Sequence, residues 1–262
     1  MAKKTSSKAD RKPRQKFTVG IMLYPDFDLL DVAGPYDVFT FFDGTVIDCD
    51  VQVVTISEHK GPLAASGGLL VTASHDFQTC PRIDLLFVPG AGPGITATIA
   101  NDRFLLFLRR VAARSRYVTS VCTGAILLAS AGLLDGYRAT THWSCIDCLK
   151  LFPKVKVVNG CPRYVQDRKR ITGGGISSTI DEALFMVETI VKDMTGSANK
   201  GEQAAKRSQL SIQYNPQPPY PGGDPCSVDY AVYAPVAAGM KSFRDAVCKA
   251  VSERIRATPP RL

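Results

Sequence analysis

The sequence contains no run of about 18 apolar residues, the length a bilayer-spanning helix needs, so no membrane span is expected. Its amino terminus lacks the apolar centre of a secretory signal and the hydrophobic residues of an amphipathic transit helix. A cytoplasmic location is therefore expected, with a nuclear one open through the basic residues at the start of the chain. Positive charge is scarce where it would matter for nucleic acid. The formal net charge is +8, but residues 1–16 hold seven Lys and Arg against Asp10 alone, leaving only +2 for the rest. No basic footprint remains on the body, so no nucleic-acid partner is expected. Residues 1–16, charged and almost without apolar side chains, are expected to form a disordered basic tail.

What is present suits a globular chain: 45% hydrophobic and 21% charged residues in a length of 262. That is enough to bury a core without staples. The eight cysteines, in a chain read as cytoplasmic, are expected to be mostly reduced.

From residue 17 the pattern becomes one of short apolar runs alternating with amphipathic stretches. Runs at 17–23, 51–56, 84–88 and 117–121 read as strands buried on both faces. Helical periods lie at 33–42, 102–113 and 123–131. This order argues for an α/β fold with a mostly parallel central sheet and helices on both faces. The Gly67-Gly68 pair inside 63–72 suggests a hairpin appended to that sheet. Further strands are expected at 155–158 and 164–166, and a long helix at 178–194 after the Gly173-Gly174-Gly175 turn. Asp181 and Glu182 would favour that helix's first turn. Residues 215–225, crowded with proline, must form an extended loop, and a final helix is expected at 238–256. One domain over 17–262 is expected, with the last helix packed back on the body.

Cys122 stands where an apolar strand ends and a helix begins at once, the arrangement of a nucleophile elbow. A thiol there lies at the carboxyl edge of the sheet. A helix amino terminus favours the thiolate, so a depressed pKa is expected. The N–H groups of Thr123 and Gly124 are candidates to stabilise developing charge, while a buried cysteine that only fills space is the plain alternative. Asp31, on the loop after the first strand, is either a helix cap or a general acid/base at the same edge. The turn Val88-Pro89-Gly90-Ala91-Gly92-Pro93-Gly94 fits neither the dinucleotide fingerprint nor the P-loop, and suits close backbone approach to a substrate. His142 is one of three histidines. It precedes Cys145-Ile146-Asp147-Cys148, but a zinc centre would need a fourth ligand, and none is evident. No metal and no cofactor are expected.

Taken together, Leu30-Asp31-Val32-Ala33-Gly34-Pro35, Val88-Pro89-Gly90, the segment 116–124, the segment 131–136, Ala139-Thr140-Thr141-His142-Trp143 and the segment 171–176 resemble the PfpI/ThiJ superfamily. That superfamily lies within the class-I glutamine-amidotransferase-like fold. More narrowly, the blocks resemble the isocyanide (isonitrile) hydratases, in order and spacing over about residues 17–215. The resemblance implies a flavodoxin-like three-layer sandwich, a homodimer and a reactive cysteine at 122. It also implies hydration of R–N≡C to an N-substituted formamide. Thr123 stands after the cysteine where many relatives carry His, and Asp31 where many carry Glu, both as in the hydratases.

The implied mechanism has Cys122 attack the isocyanide carbon to form a thioimidate, with Asp31 as acid or base. Thr123 would supply a hydroxyl and a backbone donor. Gly90, Ala91, Gly124 and His142 would complete the substrate cradle. Relatives commonly have Pro-Gly-Gly where this chain has Pro89-Gly90-Ala91, so a positive φ at 91 would strain the alanine. Alternatives are a glyoxalase-like or other thiol-dependent enzyme of the same superfamily, or a non-catalytic sensor of ligand or redox state. A transcription regulator of this superfamily would need a further helix-turn-helix region, for which the Pro-rich stretch and one helix offer little room.

Overall fold

The computed structural model describes residues 14–257, so the expected basic tail lies, through residue 13, outside the described residues. From the amino end the chain forms β1 (Gln15–Met22), α1 (Leu29–Thr40), β2 (Cys49–Ser57), β3 (Pro62–Ala64), β4 (Leu70–Thr72) and β5 (His75–Asp76). Next come β6 (Leu85–Val88), α2 (Ile95–Ala100), α3 (Asp102–Ala112), β7 (Tyr117–Ser120) and α4 (Gly124–Ser130). The second half adds β8 (Arg138–Ala139), α5 (Ile146–Leu149), β9 (Lys156–Val157), β10 (Tyr164–Asp167) and β11 (Arg170–Gly173). It closes with α6 (Ser178–Thr195), α7 (Ala198–Ser211), α8 (Tyr230–Gly239) and α9 (Lys241–Ala257).

Seven strands form one sheet in the order β10-β11-β7-β6-β1-β2-β5. Every pairing in it is parallel except β10 with β11. Alternation of side chains across the pleat sorts the core into two layers. In β6, Leu85 and Phe87 join one cluster with α1 and α6, while Leu86 and Val88 join the other with α3, α4 and α9. The result is the expected flavodoxin-like three-layer sandwich. From β1 the chain runs outward to β2 and then returns to β6 on the other side. The crevice between the carboxyl ends of β1 and β6 is therefore a topological switch point, where ligands bind in open α/β sheets.

The structure departs from several expectations. Gln15 and Lys16 belong to β1, not to the tail, because they pair with Cys49 and Asp50. The hairpin at 62–72 forms its own two-stranded ladder instead of extending the main sheet. β11 had no counterpart in the expected strands, because its glycines read as a turn. The final helix is two, α8 and α9, which meet at Met240 just past Gly239.

The cysteines differ most from expectation. Cys148 bonds to Cys248 and Cys161 to Cys226, so half of the eight are oxidised. Sequence spacing could not show this, since pairing depends on Cα atoms brought within reach by the fold, 4.6 Å for Cys148 and Cys248. The bond joins α5 to α9 across a separation of 100 residues, and Val247 and Val251 of α9 are fully buried beside it. Closing so long a loop restricts the unfolded chain. The double variant Cys148→Ala/Cys248→Ala is expected to lose about 2–4 kcal/mol of stability in a urea titration. A loss below about 0.5 kcal/mol would mean that packing alone holds α9.

Candidate active site

Cys122 links β7 to α4 and has φ 55°, the left-handed region that a residue with a Cβ enters only when its surroundings force it. Three contacts hold the turn. Its N–H donates to the Gly173 carbonyl at 3.1 Å, its carbonyl accepts from the Thr141 hydroxyl at 2.7 Å, and the Gly124 N–H donates to Val121 O at 3.0 Å. Glycines clear the space around the sulfur. A Cβ on Gly90 would lie 2.6 Å from Cys122 Cβ and 2.8 Å from its Sγ. Gly175, at φ 127°, would press a Cβ to 2.9 Å from His142 Cδ2 and 3.2 Å from Cys122 Cβ.

Two carboxyl groups face the thiol from the switch-point crevice. Asp31 is fully buried in the first turn of α1, and its Oδ2 accepts the Gly90 N–H at 2.9 Å. Its Oδ1 has no partner among the described residues. Asp28, just ahead of α1, accepts the Cys122 S–H with its Oδ2 at 3.7 Å. One ligand atom from each of Asp28, Asp31 and Cys122 lies within 4.8 Å of the others. Asp28 is the residue that sequence reasoning missed. Its only signal was a second carboxylate one helical turn before Asp31. Asp28 occupies the N-cap position of α1 without capping it through its side chain, and Asp31 lies within the helix, so neither carboxylate is a plain cap.

The electrostatics reverse one expectation. Burial, followed by the charges of Asp31 and Asp28, pushes the Cys122 thiol well above its ordinary pKa, and only the Thr123 N–H opposes this. The helix that follows is a single short segment, Gly124–Ser130, and its end effect is outweighed. Cys122 therefore rests as a thiol, not a thiolate. Asp31 is likewise raised well above the carboxylate range by burial and then by Asp28, while Asp28 is raised by its own desolvation. His142 is pushed down to about 4 by burial and rests neutral, its Nδ1 paired with the Ser144 hydroxyl at 2.8 Å.

Of the expected cradle of N–H donors, the Thr123 N–H is turned on the sulfur, but the others are committed elsewhere. Gly90 N–H goes to Asp31, Gly124 N–H to Val121, and Ala91 N–H to Thr123 Oγ1 at 3.0 Å. The Thr123 hydroxyl is spent on the Ala91 backbone, N–H and carbonyl alike, so it fixes this turn. Ala91 lies outside the left-handed region, so the feared strain there is absent. Tyr24 steadies the same turn, its buried hydroxyl donating to Pro89 O at 2.7 Å. Cys145 and Cys148 do not act as a pair, because Cys148 is committed to Cys248.

Asp181 and Glu182 also part company. Asp181 accepts from Arg163 and from the Tyr214 hydroxyl, whereas Glu182 is fully buried beneath Gly173, bonded to the Thr119 hydroxyl with Oε2 unpartnered among the described residues. Burial raises the Glu182 carboxyl well above its ordinary range. The folded state therefore keeps a proton that the unfolded chain releases, and stability falls as pH rises from the ordinary carboxylate pKa toward the raised one. One such proton contributes a slope of at most about 1.4 kcal/mol per pH unit. Glu182→Gln is expected to flatten this part of the profile and to raise stability at pH 7, as read from urea midpoints at pH 5 to 8. An unchanged slope would mean that Glu182 is ionised in the fold.

The DJ-1/PfpI family matches residues 18–191, and the chain belongs to that family. It is 38% identical over 214 residues to an isonitrile hydratase of Pseudomonas putida, covering 82% of this chain and 86% of that protein. It is 29% identical over 178 residues to the HTH-type transcriptional regulator GbdR of Pseudomonas aeruginosa, covering 66% of this chain but 47% of the regulator. Among solved structures, a THiJ/PfpI family protein from Pseudomonas syringae superposes with a TM-score of 0.78 at 27% identity, over 96% of this chain and 97% of that one. No helix among the described residues is long and apolar enough to cross a membrane.

Proposed function

We propose that the protein is an isonitrile hydratase-like lyase that uses Cys122 and the Asp28–Asp31 pair. The reading rests on one observation above the others: a buried carboxyl with a free oxygen stands beside a thiol that still carries its proton. That combination suits an isocyanide. The terminal carbon of R–N≡C holds a lone pair, and it becomes electrophilic once protonated. A resting thiolate is not required; an acid in a dry site is.

In this scheme Asp31, the more deeply buried of the two, donates its proton to the isocyanide carbon. The sulfur adds to the same carbon and gives its proton to Asp28, leaving R–N=CH–S–Cys122. Water then adds to that carbon, returning a proton to Asp31 while the nitrogen takes one from Asp28. The C–S bond breaks, the hydroxyl proton passes to sulfur, and R–NH–CHO leaves with the thiol restored. One water is consumed and both carboxyl groups end as they began.

Acyl transfer through an oxyanion hole is less well supported, because the N–H groups of Gly90, Ala91 and Gly124 are already paired. Similarity to GbdR favours a second reading, a ligand-sensing protein that binds at the same crevice without turnover. An assay of purified protein against aliphatic and aromatic isocyanides, with methylglyoxal as comparison, separates these readings. Formamide production supports the hydratase. Turnover of methylglyoxal alone, or binding without product, would displace it.

A further inference from the structure

A cleft of about 790 Å³ opens beside α3, and none of the candidate site residues lines it. Topology sets it apart from Cys122. Arg82 and Ile83 lead into β6 and Arg114 comes just ahead of β7, so this rim stands at the amino ends of those strands. Cys122 follows the carboxyl end of β7.

The wall of the cleft is apolar. Phe77 and Phe107 stack with ring centroids 3.7 Å apart, and both are buried. Leu106 stands on the lip with 59% of its surface exposed. A lone exposed leucine is ordinary, but one that continues a stacked aromatic wall is a surface a ligand would cover.

The rim is cationic. Four arginines line the cleft and no carboxylate does. Arg103 meets Glu58 at 3.4 Å from outside it. Arg110 donates to the Phe77 carbonyl at 2.9 Å and lies 5.0 Å from the Phe107 ring centroid, which fixes its guanidinium over the apolar wall. Arg82 and Arg114 make no ion pair among the described residues, whereas neighbouring Arg116 is matched to Asp84 at 3.6 Å.

We propose that this cleft binds an amphiphilic monoanion, a small molecule with an aromatic or short alkyl body and a single carboxylate or sulfonate. The body would cover Phe107 and Leu106, and the anionic head would sit among Arg82, Arg110 and Arg114, whose forks match such oxygens. The volume falls within the range of small-molecule sites. The inference is independent of the reaction at Cys122.

The test uses the fluorescent probe 1-anilinonaphthalene-8-sulfonate on the full chain, with octanoate, octanol and inorganic sulfate as competitors. Saturable probe binding is expected, displaced by octanoate, with octanol at least tenfold weaker and sulfate without effect. Arg82→Gln/Arg114→Gln is expected to weaken probe and octanoate at least tenfold, and Leu106→Asn at least threefold. Both variants alter exposed side chains, so folding is not at stake. The probe should also slow alkylation of Cys80, a free cysteine in the lining of the cleft. Octanol competing as well as octanoate would overturn the proposal. So would variants that bind like the wild type, the result if the probe sits on the exposed apolar helix α8 instead.

Discussion

Cys122→Ala is expected to abolish isocyanide turnover, a loss on the order of 10⁴–10⁶-fold in kcat as for other deleted nucleophiles. The fold should survive. Alanine keeps the Cβ that the turn already tolerates at φ 55°, so the backbone strain is the same in both proteins. The variant also removes a buried thiol whose ionisation Asp31 and Asp28 oppose, so it adds no charge to the crevice. Retained formamide production would remove the nucleophile from the scheme, and unfolding would show up separately in the thermal transition. The same electrostatics govern alkylation. A thiol held protonated by burial should react with iodoacetamide slowly at pH 7, and its rate should climb steadily as pH rises. A plateau near neutrality would restore the thiolate that a helix terminus suggested.

The fold was legible because its signals are local and repeated. Short β-branched runs bounded by Pro, Gly or charge, each followed by a helical period, admit few arrangements other than a parallel sheet between helices. Cys122 and Asp31 were legible for the same reason: each follows a strand, and parallel strands bring their carboxyl ends to one edge. Asp28 was not, because nothing in the sequence separates a carboxylate facing the crevice from one facing water one turn away. Glu182 was hidden by its neighbour Asp181. Two adjacent acids at a helix start read as dipole partners, and only the packing of α6 under Gly173 turns one of them inward. The thiol's protonation state escaped for a related reason. The helix-terminus effect is visible in sequence, while desolvation and charge repulsion exist only after assembly. The disulfides likewise depend on where α9 and the Pro-rich loop come to rest.

Asp31→Asn is expected to lower kcat by about 10²–10⁴-fold while leaving stability almost unchanged. The amide oxygen can still accept the Gly90 N–H, so the turn that presents the thiol keeps its hydrogen bond. What disappears is the acidic proton on the unpartnered oxygen. Asp31→Ala is a poorer probe, because it strands a buried N–H at a cost of about 1–3 kcal/mol and confuses loss of structure with loss of acid. A capping role predicts no loss of activity. Asparagine caps as well as aspartate, so activity would persist. The pH profile adds a second criterion. With Asp31 as donor, wild-type activity declines at high pH as that carboxyl ionises, on a limb displaced upward from the ordinary carboxylate range. In Asp31→Asn this limb should vanish, leaving a low rate without it. If the limb persists in Asp31→Asn and is lost in Asp28→Asn, the roles of the two carboxyl groups are exchanged, and Asp28, which accepts the thiol's hydrogen bond, carries the proton to carbon.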